Sequence, residues 1–508
     1  MTKKISKETA LILTLAVIKL LIHFLTNTNY ELQRDAYLYY SLGEHLSCGY
    51  LSVPPLIGVF AKVSTLIFGH SVFALRFFPA LIGSISVVII AKMVKELGGG
   101  IWAIIIAASA FILSPAFLRS NTLFQPVSFN QFFWLLSGYF IIKLLKTANP
   151  KFWLYIFLVW GIAFLNKYSI AFFIVAFLLS IVLTSHRQLM KSKYFFIGGV
   201  LGILIILPNL FWQFSHNWPL IHHMSELYNT QFVNVSVKGF LIGQLFMNFP
   251  ALIVWITGLI VFLFFKAEKN YRAIGLGVLI TVLIILLLHG KPYYTLGLYS
   301  ILFALGGYAI ERYFKPYLRY AVLALMILFC IPMIPISLPV YSFEKVEEYT
   351  KPMAQFVNRW EDGQLHNIPQ DYADMTGWKE LGTIVTDFYQ SLPEKEKQDC
   401  AIYADNYGQA GAVYFYGTPK GLPAPISFND SFLFWAPDQI NKEGLIYINH
   451  NLGDIKELFQ SYRIIGKVDN KYFRENGLQV YYCTNPNDNF KSFYANKVAN
   501  LKSNYIRP

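Results

Sequence analysis

Acidic residues are the scarcest chemistry in the first two thirds of this 508-residue chain. Up to Val340 there are 8 Asp and Glu against 25 Lys and Arg; beyond it there are 21 against 17. Charged residues make up 14% of the whole, well under the roughly 25% of a soluble domain. Cysteine is sparse too, at four, with no CxxC pair, which excludes a zinc ribbon or a dithiol redox motif. No P-loop, no G-x-G-x-x-G after a strand and no G-x-S-x-G occurs, and Gly98-Gly99-Gly100 reads as a turn between apolar stretches. Internal repeats and low-complexity segments are also missing.

What is abundant is apolar. Hydrophobic residues reach 55% and aromatic ones 17%. A net charge of +13 and a pI near 9.2 would suit nucleic acid only if the basic residues clustered on a polar face. They do not. Residues 1–340 carry +17 and residues 341–508 carry −4, so the chain joins two materials, a polytopic membrane domain (1–340) and a slightly acidic soluble domain (341–508).

A bilayer core of about 30 Å calls for about 17–25 apolar residues per helix. Eleven stretches meet or approach this: 9–26, 71–91, 101–117, 128–145, 152–166, 168–184, 194–211, 247–265, 273–289, 295–310 and 320–340. The first, behind Lys3, Lys4 and Lys7, lacks a small-x-small cleavage site and reads as a retained helix. With the N-terminus in the cytoplasm, 17 basic residues fall on the inner side and about seven outside, as the positive-inside rule requires. An odd number of spans then places residues 341–508 outside. Of the two long outer loops, 27–70 contains an amphipathic run (56–68) suited to the membrane surface, and 212–246 is the second. In the tail, 376–392 reads as a helix and 400–404, 444–448 and 479–482 as strands, which makes a small α/β domain. Cys400 and Cys483 either form a disulfide or stay as buried thiols.

The few acids can be weighed singly. Glu8, Glu96, Glu268 and Glu311 stand among inner basic residues and read as a solvated face. Glu31, Asp35, Glu44 and Glu226 lie outside. Asp35 follows Arg34 and precedes Tyr37, Tyr39 and Tyr40, a setting for a partly desolvated general base or for an interfacial ion pair. Arg34, Arg119, Lys167 and Lys291 sit at outer ends of spans, Lys291 just before Tyr293 and Tyr294. Each either anchors to lipid headgroups or holds a phosphate. His45 neighbours Glu44. His216, His222 and His223 share the second loop with Glu226, where His223 and Glu226 would make an i, i+3 ligand pair, though no third metal ligand is evident.

An ordered run of motifs then resembles a known family. It comprises Leu32-Gln-Arg-Asp-Ala-Tyr-Leu-Tyr-Tyr, Gly43-Glu-His-Leu, Pro54-Pro55-Leu56, Ser71-Val-Phe-Ala-Leu-Arg-Phe-Phe-Pro-Ala, Thr122-Leu-Phe-Gln-Pro, Asn166-Lys-Tyr, His216-Asn-Trp-Pro, Gly290-Lys-Pro-Tyr-Tyr, Ala373-Asp-Met-Thr-Gly-Trp and Asn406-Tyr-Gly-Gln-Ala-Gly-Ala. Together these look like a family 39 glycosyltransferase of the GT-C superfamily, a bacterial relative of protein O-mannosyltransferases and the lipid A aminoarabinose transferase.

The resemblance implies a multi-pass inner-membrane enzyme that moves a sugar from a polyprenyl-phosphate donor to an extracytoplasmic acceptor, with Asp35 as the catalytic carboxylate. With such a donor, the outer cations Arg34, Lys167, Lys291 and Arg119, with Tyr293, are the candidates for holding its phosphate, and Glu44, His45, His216, His223 and Glu226 are further loop candidates. This chain departs from the family pattern at Ala36, Asn130 and Ser52-Val53, which removes usual acidic ligand positions; a divalent metal stays open as a cofactor, with no residue assigned to it. A lipid-linked sugar transporter and a non-catalytic lipid-binding relative are the alternatives. Against the transporter, charge is nearly absent from mid-span positions and no inverted repeat is evident.

Overall fold

The structure is a computed structural model describing residues 6–505. Lys3 and Lys4, two of the N-terminal orientation signals, lie outside the described residues. The chain divides into two compact units. One comprises Met1–Asn27, Arg76–Leu210 and Met224–Val340; the other comprises Thr28–Leu75, Phe211–His223 and Tyr341–Pro508. The second unit therefore takes in most of the first long loop and part of the second as well as the tail.

Each of the eleven apolar stretches contains a helix, but length and composition license fewer spans. Among the described residues six helices are long and apolar enough to cross a membrane, and eight if each bent pair counts as one span. The pairs are Ile170–Val182 with Ser185–Lys191, bent by 112°, and Val237–Met247 with Phe249–Phe264, bent by 76°. Ile101–Leu113 and Phe152–Asn166 are shorter, spanning roughly 20–22 Å at 1.5 Å per residue. Pro126–Thr147 has the length, but Asn130, Gln131 and Ser137 dilute its apolar character. By length and composition, six to eight spans are supported among the described residues, and eleven are not confirmed. The second long loop is largely helical, with Pro219–Thr230 and Val237–Met247 inside it.

At the centre of the first unit is Leu296–Tyr313, buried at every position from Leu296 to Ile310. It crosses Leu252–Phe264 at a glycine contact, where a Cβ on Gly306 would stand 2.0 Å from the Val254 carbonyl oxygen and one on Gly258 would stand 2.7 Å from the Gly306 nitrogen. Small residues let two backbones meet where lipid supplies no hydrophobic drive between helices.

Two inner acids are not the solvated face expected of them. Glu268 is buried, accepts hydrogen bonds from the Tyr308 and Tyr313 hydroxyls, and lies 3.5 Å from Arg312. Glu311 accepts from the backbone N–H groups of Gly100, Trp102 and Ala103. Those are the orphan donors of the helix starting at Ile101, which has no side-chain cap of its own. Glu8 and Glu96 do pair with exposed or half-exposed lysines.

In the second unit the tail folds around a four-stranded sheet of order β1-β2-β4-β3: β1 (Cys400–Ala404), β2 (Gly444–Asn449), β3 (Phe459–Lys467) and β4 (Gln479–Pro486). β1 and β2 run parallel and the other pairings are antiparallel. Three strands and the helix Trp378–Ser391 follow the sequence expectation. β3 was not anticipated, because it is an edge strand whose Gln460–Ile464 stretch is exposed, without an apolar face alternating with a polar one. Leu445, Tyr447, Tyr481 and Cys483 pack against Phe490, Tyr494 and Val498 of the C-terminal helix Asp488–Ser503. Cys400 and Cys483 lie on strands separated by β2 and are free, buried thiols, so the disulfide alternative fails.

Replacing Gly306 by valine is expected to destabilise the membrane unit by about 1–3 kcal/mol or more, since the added carbons meet backbone rather than a flexible side chain. Thermal unfolding in detergent checks this. An unchanged midpoint would contradict the contact.

Candidate active site

Asp35 is the second residue of the helix Arg34–Glu44. The helix begins where Gln33 caps it, its Oε1 accepting from the Asp35 N–H at 2.9 Å, and a carboxylate in the first turn complements the helix dipole. The strand-like approach to the helix is fastened to the tail. The Glu31 N–H donates to the Met375 carbonyl at 3.1 Å, the Arg34 N–H to the Asp374 carbonyl at 3.1 Å, and the Lys379 N–H to Glu31 Oε2 at 2.9 Å. Further along, the helix packs on Tyr407–Gly417, and a Cβ on Gly411 would stand 2.7 Å from the Tyr37 carbonyl. Glycine there is what allows the two helices so close.

The side chains meet at the same place. The Tyr407 hydroxyl donates to Asp35 Oδ1 at 2.7 Å, and the Arg34 guanidinium lies over the Tyr407 ring at 4.5 Å from its centroid. Behind them Asp374 is 2% exposed and takes Arg474 Nη1 at 3.2 Å. Gln33 links the carboxylates, since the amide that caps the Asp35 N–H through its oxygen donates through Nε2 to Asp374 Oδ2 at 3.2 Å.

Burial pushes the Asp35 carboxyl above the usual carboxylate range, opposed by the Tyr407 hydrogen bond and the Arg34 charge. Burial likewise raises Asp374 to about 7 against the pull of Arg474, and the Asp35 charge adds to the rise. Two coupled carboxyls with raised proton affinity are what general acid–base work at neutral pH uses.

The other candidates are distributed as follows. Arg34, Glu44, His45, His216 and His223 share the second unit with Asp35, while Arg119, Lys167, Lys291, Tyr293 and Glu226 belong to the first. Lys167 Nζ stands 5.4 Å from the Tyr294 ring centroid, which brings it to the turn carrying Lys291 and Tyr293. Tyr293 packs edge-on to Tyr294. Arg119 donates through Nη2 to the Ile336 carbonyl. Glu44 pairs with Lys62 at 3.1 Å. His45 stacks on Trp435 at 4.1 Å and lines a cavity of about 240 Å³ with Tyr414, Phe432 and Lys442. His216 stacks on Trp212 at 4.1 Å. His223 and Glu226 lie on the helix Pro219–Thr230, where Glu226 is exposed. Among the described residues no three His, Cys, Asp or Glu side chains are grouped to hold a metal ion.

Two residue groups were missed from sequence. Lys19 and His23 lie inside the first apolar helix, fully buried. Lys19 Nζ donates to the Phe117 carbonyl at 3.1 Å, and His23 Nδ1 meets Thr122 Oγ1 at 3.2 Å. Ionisable side chains are therefore present mid-span, and the i, i+4 spacing of the two was the available signal. Tyr407, which touches Asp35 from 372 positions away, lies inside the Asn406-Tyr-Gly-Gln-Ala-Gly-Ala motif, but nothing local pointed to a role for its side chain.

Residues 52–212 match the model of a family described as dolichyl-phosphate-mannose-protein mannosyltransferase. ArnT from Cupriavidus metallidurans bound to undecaprenyl phosphate is 12% identical, with a TM-score of 0.65 over 93% of this chain and 98% of that one. The same protein in the apo state is 13% identical, with a TM-score of 0.65 over 94% and 98%. The fold is that of ArnT. These findings bear out the GT-C resemblance read from the motifs. No curated protein matches the sequence.

The raised Asp374 has a consequence for stability. A carboxyl whose folded pKa lies above its unfolded value stabilises the fold fully below the unfolded value, and that stabilisation is lost as pH rises through the folded one. The window here runs from 3.8 to about 7. Between pH 4 and 7 the unfolding midpoint of wild type is therefore expected to fall more steeply than that of Asp374→Asn. Parallel curves in thermal unfolding would contradict this.

Proposed function

We propose that the protein is an integral membrane glycosyltransferase that moves a sugar from a polyprenyl-phosphate donor to an extracytoplasmic acceptor by single displacement. The observation that carries this reading is Asp35, a partly buried carboxyl with raised proton affinity that the Tyr407 hydroxyl meets, in a chain with the ArnT fold; the motif resemblance is what gives it the part of the catalytic acid. The bound undecaprenyl phosphate of ArnT supports the donor class.

In the reaction, ionised Asp35 takes the proton of an acceptor hydroxyl or amine as that oxygen or nitrogen attacks the anomeric carbon. The bond from that carbon to the phosphate oxygen breaks, polyprenyl phosphate departs with the electron pair, and Asp35 returns its proton to water. A phosphate leaving group needs cations to hold its developing charge rather than a strong general acid. Arg34, Lys167 and Lys291 are the cations this reading assigns to that role, with Arg119 and Tyr293 as further candidates. No step runs through a metal ion. The reading requires the N-terminus in the cytoplasm and residues 341–508 outside, following the distribution of basic residues.

With a labelled polyprenyl-phosphate sugar, wild type is expected to release polyprenyl phosphate, and Asp35→Asn to do so about a hundred- to ten-thousandfold more slowly while remaining folded and inserted. Full activity of that variant would overturn the assignment. Absence of release by wild type across donors would favour a binder or transporter. A phosphatase reporter fused after residue 340 is expected to be active and one fused within residues 266–272 inactive; the reverse pattern would overturn the orientation.

A further inference from the structure

The tail has so far entered as a scaffold, yet its helix Tyr407–Gly417 delivers a hydroxyl to the proposed catalytic carboxylate. We propose that Tyr407 is a positioning residue of the transferase, its hydroxyl fixing the rotation of the Asp35 carboxyl at Oδ1 and favouring its ionised form. This rests on the function proposed above and extends it, because it makes the C-terminal segment part of the active centre.

The placement of Tyr407 is fixed on several sides. Asn406 caps the helix, its Oδ1 accepting from the Gly408 and Gln409 N–H groups at 2.9 and 3.1 Å. Its Nδ2 donates to Glu475 at 3.1 Å. The Tyr407 N–H donates to Asn429 Oδ1 at 3.1 Å. The first turn is thus tied to two other parts of the tail before the side chain leaves it. Over the ring, Arg34 clamps the opposite face of the contact. That clamp needs Gly408, since a Cβ there would stand 2.8 Å from Arg34 Cγ and 2.9 Å from its Nε. The ring cannot swing off Asp35 without losing the guanidinium.

A hydroxyl that donates to one carboxylate oxygen does two things. It fixes the rotation of the carboxyl, and it favours the ionised form against the burial that opposes it. Buried Tyr407 holds its own proton well above the ordinary phenol range, so it remains a donor throughout the working pH. The charged and titratable groups facing Asp35 include Arg34 from its own helix, Tyr407 from the tail helix, and Glu361, Arg474 and Asp374 from the rest of the tail. Arg34, Arg474 and Tyr407 favour the carboxylate, while Glu361 and Asp374 disfavour it. Tyr407 is hydrogen-bonded to Asp35 at 2.7 Å.

The test uses the full chain in detergent, with Tyr407→Phe and, as a control on the same helix, Tyr416→Phe, whose hydroxyl meets that of Tyr37 instead. Infrared difference spectroscopy follows protonation of the Asp35 carboxyl, its band identified by loss in Asp35→Asn. In Tyr407→Phe the titration midpoint is expected to rise by about one pH unit, the effect of removing one hydrogen bond to a charged group, and in Tyr416→Phe to stay in place. The acid limb of kcat should rise with it while the donor KM is unchanged. A midpoint that does not move in folded Tyr407→Phe overturns the proposal and leaves the proposed function standing. A midpoint that moves in a protein whose wild type transfers no sugar overturns the function and leaves the Tyr407–Asp35 contact standing.

Discussion

The second unit depends on burying one carboxylate beside a second. Asp35 and Asp374 share Gln33 between them, and each has a positive or hydroxyl partner, Arg34 with Tyr407 for the first and Arg474 for the second. Removing charge from water costs several kcal/mol per ion unless partners are supplied. Those partners come from segments hundreds of residues apart. The backbone contacts of residues 31–34 with 374–379, the glycine approaches at Gly408 and Gly411 and the capped start of Tyr407–Gly417 all serve to bring them there. In the reading proposed here, this stored tendency to bind a proton is what the chemistry uses.

The first unit solves a different problem. Its central helix, Leu296–Tyr313, is buried over nearly its full length and gains close neighbours through glycine rather than through bulky apolar side chains. Two buried cations inside it are met by backbone carbonyls, Lys19 by that of Phe117 and Arg76 by that of Asn27 at 2.7 Å, and the N–H groups at the start of Ile101–Leu113 are met by the Glu311 carboxylate. In an apolar medium each such group needs a partner.

Composition and periodicity made the architecture legible. The switch in charge balance near residue 340 marks where the long apolar helices give way to the sheet, and Trp378–Ser391 and three of four strands announce themselves by their apolar faces. The bends at Leu183–Thr184 and Asn248 were not legible, because they are not written as hydrophobicity. β3 escaped because an exposed edge strand has no apolar face to show. At the site, Asp35 stood out because acids are rare around it and aromatics frequent. Tyr407 did not, since one tyrosine among 33 acquires meaning only when the fold sets it against a carboxylate. Glu268 and Glu311 were misread for the same reason: a glutamate among lysines looks solvated until the helix ends and tyrosines around it are seen.

The pH–rate profile of sugar transfer by the wild-type protein in lipid bilayers tests the central claim most directly. If a buried Asp35 is the base, the rate at saturating donor falls on acidification along a single-proton limb whose midpoint lies above the ordinary carboxylate value of about 3.9. A rate that stays flat down to pH 4 would contradict the account, because it would mean that no carboxyl held up by burial has to be ionised for transfer to occur.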